Sequence, residues 1–185
     1  MLLTRTVAPA SGIVALQDMR EHLRVVDAAE DFYISTLILA ASETVEEMTG
    51  RAVVTQTWAM ALPSASGAVY LPKSPVQSVT SITYYDANNV SQSAVVADFY
   101  LMNDGDQAWL EPKPGKSWPT TYDRPDAVTI TFVAGYSSIP SALKHATMLL
   151  VSQWFDNRNA AGEGREVPFS VTHLVGLHRV GWIGA

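Results

Sequence analysis

The chain has 185 residues, of which 48% are hydrophobic and 16% charged, with a net charge of −6 and no cysteine. The missing cysteines exclude a disulfide scaffold and thiolate metal sites, and no apolar run approaches the ~18–20 residues of a membrane span. A pI near 5.1 argues against a protein that wraps nucleic acid, because such a protein needs a surplus of Lys and Arg.

Two helices are predicted before residue 51. The first covers about Ala15–Val25, with an apolar stripe at helical spacing. The second follows Asp27, a predicted N-cap, and continues to about Thr49. Gly50 then stands where a left-handed C-cap is expected. The second helix has one apolar face, and its acidic residues project from the opposite side.

The hydrophobic period changes to two between Arg51 and Tyr136, which predicts many short antiparallel strands. Turns are predicted at Asp86–Asn89 and Asn103–Asp106. Glu111–Gly115 is predicted to be a loop throughout, because its two prolines prevent a continuous ladder. This part is expected to fold as a small sandwich or an open barrel.

A third helix is predicted to begin at Pro140, and it is apolar beyond one face. Pro168–His178 is predicted to form a short last helix. The resulting fold class is α+β: a small bundle of three to four helices that carries an inserted antiparallel β-domain. The predicted domains are a helical core (13–50 and 137–180), the β-rich insertion (51–136) and a C-terminal tail (181–185).

The sequence contains no catalytic constellation. His173 and His178 are five residues apart, so they do not share one helix face as a zinc-binding pair would. The Gly-x-Ser-x-Gly elbow and the phosphate-binding glycine loops are missing. We therefore predict that the protein is not an enzyme and that it uses no metal and no cofactor.

The apolar and aromatic surplus has two explanations, which composition leaves open. Part of the surface is covered by other subunits or proteins, since interface centres are depleted in charge, or the surface is simply neutral and rich in Ala and Thr. Trp118, in a Pro-rich loop, and Trp182, near the terminus, are the two tryptophans least easily buried within one subunit. Tryptophan is enriched at interface hot spots.

The order and spacing of several short motifs resemble the head-tail connector (adaptor) family of long-tailed phages, whose members also occur in prophages and phage-derived gene-transfer particles. The resemblance covers about residues 13–180. Its motifs are His22–Val25, Met48–Ala52, Gln56–Trp58, Ile82–Asp86, Gly115–Pro119, Val133–Tyr136, Ile139–Pro140 and Trp154–Arg158.

This resemblance implies a non-enzymatic ring of about a dozen copies at the head-tail junction of a virion or phage-like particle made in the bacterial cytoplasm. The ring would bind the portal protein and a tail-side stopper or tail-terminator protein, with no membrane contact. Double-stranded DNA would pass through it without specific binding, which suits an acidic channel that repels phosphates.

The resemblance places portal binding in the C-terminal segment. Its candidate residues are Phe169, Leu174, Leu177, Arg179, Trp182 and Ile183. Candidate subunit-interface residues are Met148, Val151, Phe155 and Trp118. Removing everything from about Val167 onward is expected to leave a folded protein that no longer joins the portal.

Two other functions are considered beside the connector. One is a tail-completion or stopper protein of the same particle, one layer further from the capsid. The other, from a different class, is a small β-rich module that binds a carbohydrate or another ligand through Trp109 and Trp118.

Overall fold

A computed structural model of the chain describes residues 1–158 and 167–180. Within these residues the chain is α+β, as the sequence predicts, with four α-helices and eight strands. Their order is β1 (Leu2–Val7), α1 (Leu16–Leu23), α2 (Asp31–Thr49), β2 (Gln56–Leu62), β3 (Val69–Leu71), β4 (Val76–Tyr85), β5 (Ser91–Ala94), β6 (Phe99–Asn103), β7 (Ala108–Pro112), β8 (Val128–Ala134), α3 (Ser141–Asp156) and α4 (Phe169–Gly176).

The chain divides into two compact units. The β unit consists of residues 1–9 and 55–137, and the helical unit consists of residues 10–54 and the described part of 138–185. All eight strands lie in the first unit and all four α-helices of the described residues lie in the second.

The β unit contains two antiparallel sheets. The larger has the strand order β1-β2-β8-β4-β5, and the smaller has the order β3-β7-β6. β8 lies at the centre of the larger sheet, where the side chains of Val128, Ile130 and Phe132 are fully buried. The threonines between them are half-buried. This alternation is the period of two that the sequence predicts, and among the described strands neither sheet closes into a barrel.

Strand β1 is an element that the sequence analysis does not predict. It pairs with β2 in antiparallel register, with Leu3 opposite Met60 and Arg5 opposite Trp58. Five of its six residues are exposed, so β1 is an edge strand with little burial. Without a buried face there is no apolar alternation to read, and the partner strand is about 50 residues away in the chain.

The prediction of a loop throughout Glu111–Gly115 is wrong for its first two residues, because β7 continues to Pro112, which pairs with Phe99 of β6. Lys113 donates its backbone N–H to the carbonyl of Asp98 at 2.9 Å. Strand alternation therefore turns the nitrogen of Pro112 away from β6 and toward the side of β3. The ladder between β3 and β7 does not reach Pro112, because its last pair on that side is Val69 with Leu110. No ladder hydrogen bond is lost there, so proline is tolerated.

In the helical unit α2 ends at the predicted residue, but the predicted N-cap Asp27 precedes a separate 3-10 turn, so that α2 itself begins at Asp31. Asp27 accepts a hydrogen bond from the backbone N–H of Ala29 and so caps a short 3-10 turn that leads into α2. Gly50 ends α2 in the left-handed conformation, with φ of 72°. Its N–H donates to the carbonyls of Glu46 and Glu47, which is the arrangement of a glycine C-cap.

Helix α4 belongs to the core of the helical unit, since Val171 and Val175 are 0% and 2% exposed. The segment after α4 is also held: Val180 donates to the carbonyl of Thr49 at 2.9 Å, and the guanidinium of Arg51 donates to the carbonyl of His178 at 2.6 Å. The structure therefore weighs against the expectation that truncation at Val167 leaves the fold intact. Such a truncation removes buried valines.

Candidate functional site

The outward side of α4 carries an apolar stripe with no partner among the described residues. Phe169 and Leu177 are 85% and 69% exposed, and His173 lies between them with its ring centroid 6.4 Å from that of Phe169. The three residues are spaced i, i+4 and i+8, so they share one side of the helix. We call Phe169, His173 and Leu177 the α4 stripe.

The other predicted portal-binding residues lie beside this stripe or outside the described residues. Arg179 is exposed and Leu174 is half-buried. Trp182 and Ile183 fall in the part of the chain that the structure does not describe. The structure therefore brings Phe169, Leu177 and Arg179 together as exposed side chains of one segment.

The predicted subunit-interface residues are placed differently from one another. Val151 is fully buried in the core of its own unit, so its side chain has no surface to offer a neighbouring subunit, and the prediction for Val151 is corrected. Met148 is half-buried. Phe155 is also half-buried, because Tyr33 lies at 6.0 Å and the guanidinium of Arg158 covers its ring at 4.6 Å.

Trp118 finds partners within its own chain. Its ring centroid lies 4.3 Å from that of Phe99, and its indole N–H donates to the carbonyl of Gly67 at 2.8 Å. Since Phe99 points to the buried face of the small sheet while Trp109 points to the opposite face, the two tryptophans do not form one platform. This geometry weighs against the ligand-binding module.

An exposed ridge on α2 is a candidate surface that the sequence analysis missed. Phe32 is 86% and Leu39 52% exposed. The spacing of these residues places Thr36, Glu43 and Glu47 on the same side of the helix. We call these five residues the α2 ridge. The helical spacing of the sequence already places Phe32 and Leu39 opposite the buried face of the helix. Residue type alone, however, does not distinguish an exposed Phe from a buried one.

The outward face of the small sheet is a second missed surface. Tyr70 of β3 and Met102 of β6 pair with Trp109 of β7 from its two sides. Tyr100 precedes Met102 by two residues on β6, so it lies on the same face. Tyr70, Tyr100 and Met102 are 58%, 48% and 44% exposed, and the rings of Tyr70 and Trp109 are 5.9 Å apart. We call Tyr70, Tyr100, Met102 and Trp109 the aromatic face. The opposite face of these strands is largely buried.

One ammonium borders the aromatic face. The side chain of Lys113 lies 5.1 Å above the ring of Tyr100, and among the described residues it forms no ion pair. Glu111, which is directly opposite Tyr100, is exposed on the same face. By contrast, Lys116 forms an ion pair with Asp98 at 3.1 Å. Lys113 is thus a cation available for a partner.

Arg124 and Asp86 make local contacts that hold the backbone of the β unit together. Arg124 donates two hydrogen bonds to the carboxylate of Asp126, at 2.6 and 2.8 Å, and stacks on Tyr85 at 3.7 Å. The hydrogen bond from Arg124 lowers the pKa of Asp126 below its ordinary value. The pKa of Asp86 is also lowered, chiefly by the hydrogen bond from Gln92. These groups fasten the β4–β5 hairpin and the segment that leads to β8.

Side chains that could bind a metal ion are not clustered in the described part of the chain. No cluster of three or more His, Asp or Glu side chains forms there. An open groove of about 680 Å³ lies between the start of β4 and the chain after β8. Its amide side chains serve the backbone, since Gln77 donates to Gly135 and Asn103 donates to Val76. Among the described helices none is long and apolar enough to cross a bilayer.

Comparisons with known proteins find similar chains in solved structures of gene transfer agent particles. The chain is similar to a chain in "Neck of empty GTA particle computed with C6 symmetry", at 25% identity and a TM-score of 0.81, and to one in "Virion of native gene transfer agent (GTA) particle", at 25% and 0.80. A third similar chain belongs to "Neck of native GTA particle computed with C12 symmetry", at 25% and 0.76. Each match covers 99% of this chain and 97% of the other.

A comparison with curated proteins finds no match. A sequence model of a known family, however, matches residues 12–172, which include all four helices except the last turn of α4 and all strands except β1. Because the match spans most of the chain and both units, the chain belongs to the head completion protein family.

Proposed function

We propose that this protein is a structural component of the neck of a phage-like particle, where it joins the capsid to the tail without catalysing a reaction. The observation that carries the proposal is the similarity over 99% of the chain to chains from gene transfer agent necks. Membership of the head completion protein family points to the same role. The exposed apolar surfaces of both units support it, because a neck protein must bind several partners at once.

The proposed assembly is a closed ring. The similar neck structures carry C6 and C12 symmetry, and rotational symmetry of this order places each subunit between two neighbours. A ring also leaves a central hole through which double-stranded DNA can pass. The net charge of −6 per chain, repeated around the ring, disfavours adhesion of phosphates to its wall.

The α4 stripe is the proposed portal-binding surface. Phe169 and Leu177 are large apolar side chains with most of their surface in solvent, and Arg179 adds a charge beside them. Aromatic and Arg side chains dominate interface energies when a partner desolvates them. Leu174, Trp182 and Ile183 remain part of this proposed contact, and a tail-side protein would bind elsewhere on the ring. Met148 and Phe155 remain proposed subunit contacts.

The test compares particle incorporation and portal binding for surface variants. The double variant Phe169→Ser, Leu177→Ser should fold like the parent chain. It should bind purified portal rings of the same particle about a thousandfold more weakly, since two hot-spot side chains at about 2 kcal/mol each contribute about 4 kcal/mol. Val95→Ser is the matched control, because Val95 is 62% exposed and lies in the β unit.

Electron microscopy of particles that contain a tagged copy completes the test. Density for the tag in the layer next to the portal supports the connector role. Density one layer further from the capsid would identify a stopper instead, and absence of the chain from purified particles would overturn the proposal.

A further inference from the structure

The α2 ridge and the aromatic face are both exposed, and they lie in different units of the same chain. The ridge offers Phe32 and Leu39, and the face offers three aromatic rings and Met102. Exposed apolar clusters of this kind mark interaction sites more often than isolated surface residues do. Neither surface has a partner within the described residues.

The two surfaces are similar in size. The three strands of the small sheet, spaced about 4.8 Å apart, give the aromatic face a width of about 10 Å. The four steps along the strand from Trp109 to Lys113 give it a length of about 14 Å. From Phe32 to Glu43 the helix rises by eleven steps of 1.5 Å, which is about 16 Å. One helix ridge can therefore cover the length of the face.

Each of the two surfaces carries charged side chains at one end. The α2 ridge ends in Glu43 and Glu47, and the whole of α2 contains no Lys or Arg. The aromatic face ends in Lys113, whose ammonium forms no ion pair in the described part of the chain. Glu111 is exposed beside it on the same face, so this end carries one charge of each sign and only Lys113 can pair with the acidic end of the ridge.

In a ring with cyclic symmetry these two surfaces can bind each other on adjacent copies. In a ring of more than two copies, each subunit contacts one neighbour through one surface and the other neighbour through a different, complementary surface. A single self-complementary patch would yield dimers instead. A chain with two unlike apolar surfaces, one ending in glutamates and the other bordered by Lys113, meets this requirement.

We infer that the α2 ridge of one copy docks on the aromatic face of the next copy, with Glu43 or Glu47 near Lys113 of the neighbour. This inference rests on the proposed function and names the surfaces that close the ring. Phe32 and Leu39 are the apolar anchors on one side, and Trp109 with its neighbours forms the platform on the other.

Disulfide trapping tests the pairing directly, because the natural chain has no cysteine. Leu39→Cys and Met102→Cys are prepared as separate proteins, mixed at high concentration or co-assembled into particles, and oxidised mildly. The inference expects a mixed dimer from the mixture and little dimer from either protein alone. A chain with both substitutions should give a ladder of higher oligomers. Val95→Cys, mixed with Leu39→Cys, is the matched control and should remain unlinked.

Charge exchange adds a second readout. Lys113→Glu should reduce the yield of the mixed dimer by about two- to fivefold, the effect of one exposed ion pair. Combining Lys113→Glu on one protein with Glu43→Lys and Glu47→Lys on the other should restore the yield. A reduction without any restoration would contradict the proposed contact between these charges.

The other outcomes separate this inference from the proposed function. A dimer from Leu39→Cys alone would show that two ridges pair with each other and would overturn the inference. A chain that enters particles but gives no mixed dimer would also overturn it, while the neck role would stand. A mixed dimer from a chain that never enters particles would support the docking surfaces and refute the neck role.

Discussion

Replacing Val171 or Val175 of α4 by Ala should destabilise the helical unit. Both side chains are essentially inaccessible to solvent. Each substitution removes two methyl-sized groups, at about 0.8 kcal/mol each, so the transfer contribution alone is about 1.6 kcal/mol. The cavity that remains adds to this loss, which brings the expected effect to about 2 kcal/mol per valine. The double variant should lose about 4 kcal/mol, a large fraction of the 5–15 kcal/mol of an ordinary domain.

Urea unfolding followed by circular dichroism at 222 nm measures this effect. All four α-helices of the described chain lie in the helical unit, so this signal reports mainly on that unit. Thr172→Ala is the matched control, since Thr172 is an exposed residue of the same helix and should leave the midpoint nearly unchanged.

Truncations extend the same reasoning to the chain end. A chain that stops after Val180 keeps the hydrogen bond from Val180 to Thr49 and the one between Arg51 and His178, and its stability should match that of the full chain. A chain that stops at residue 166 loses both valines and should be much less stable. If that shorter chain unfolds at the same urea concentration as the full one, the assignment of α4 to the core is refuted.

Two further predictions concern positions where the backbone or a charge decides the outcome. Gly12→Ala should lower the free energy of unfolding in urea by about 1–3 kcal/mol, because the added Cβ would lie 2.3 Å from a methyl carbon of Ile38. Gly176→Ala is the control: nothing lies within 4 Å of its added Cβ, so the change should be neutral or stabilising by up to about 1 kcal/mol. Equal losses in both variants would contradict the close-packing argument. The pKa of Asp126 is lowered by Arg124 in the folded protein, so its contribution to stability is complete above its ordinary value of 3.8 and is lost as the pH falls through the lower, folded-state pKa. Asp126→Asn should therefore flatten the loss of stability on acidification below about pH 4, and an unchanged acid profile would show that the carboxylate carries no such linkage.

Much of the secondary structure is legible from local signals in the sequence. The second helix ends at Gly50 as predicted, because glycine adopts the left-handed conformation that a helix end requires. Asp27 caps the short 3-10 turn before the helix instead of α2 itself, which begins at Asp31. The turn at Asp86–Asn89 follows from the same kind of chemistry, since the carboxylate of Asp86 accepts from the backbone of Asn88 and Val90. Such features depend on residues close together in the chain, so pattern and propensity suffice.

The surfaces that matter for assembly are not legible in this way. Val151 and Phe32 are both apolar residues on apolar helices, yet one is fully buried and the other is 86% exposed. The sequence predicts that Trp118 is difficult to bury within one subunit. In the structure it contacts the ring of Phe99 and donates a hydrogen bond to the carbonyl of Gly67, and both residues are distant in the chain. Burial is a property of which elements pack together, and residue type alone does not specify it.

The sequence by itself determines the α+β class, the main helices, the turns and the absence of cysteine, because composition, periodicity and capping are local properties. The motif order also determines the family resemblance, since order and spacing survive in the linear chain. Only the tertiary structure decides that β1 extends the large sheet, that α4 is core on one side and exposed on the other, and that the α2 ridge and the aromatic face remain open to partners. Those outcomes depend on contacts between residues far apart in sequence. A one-dimensional pattern does not specify which faces of distant elements pack together.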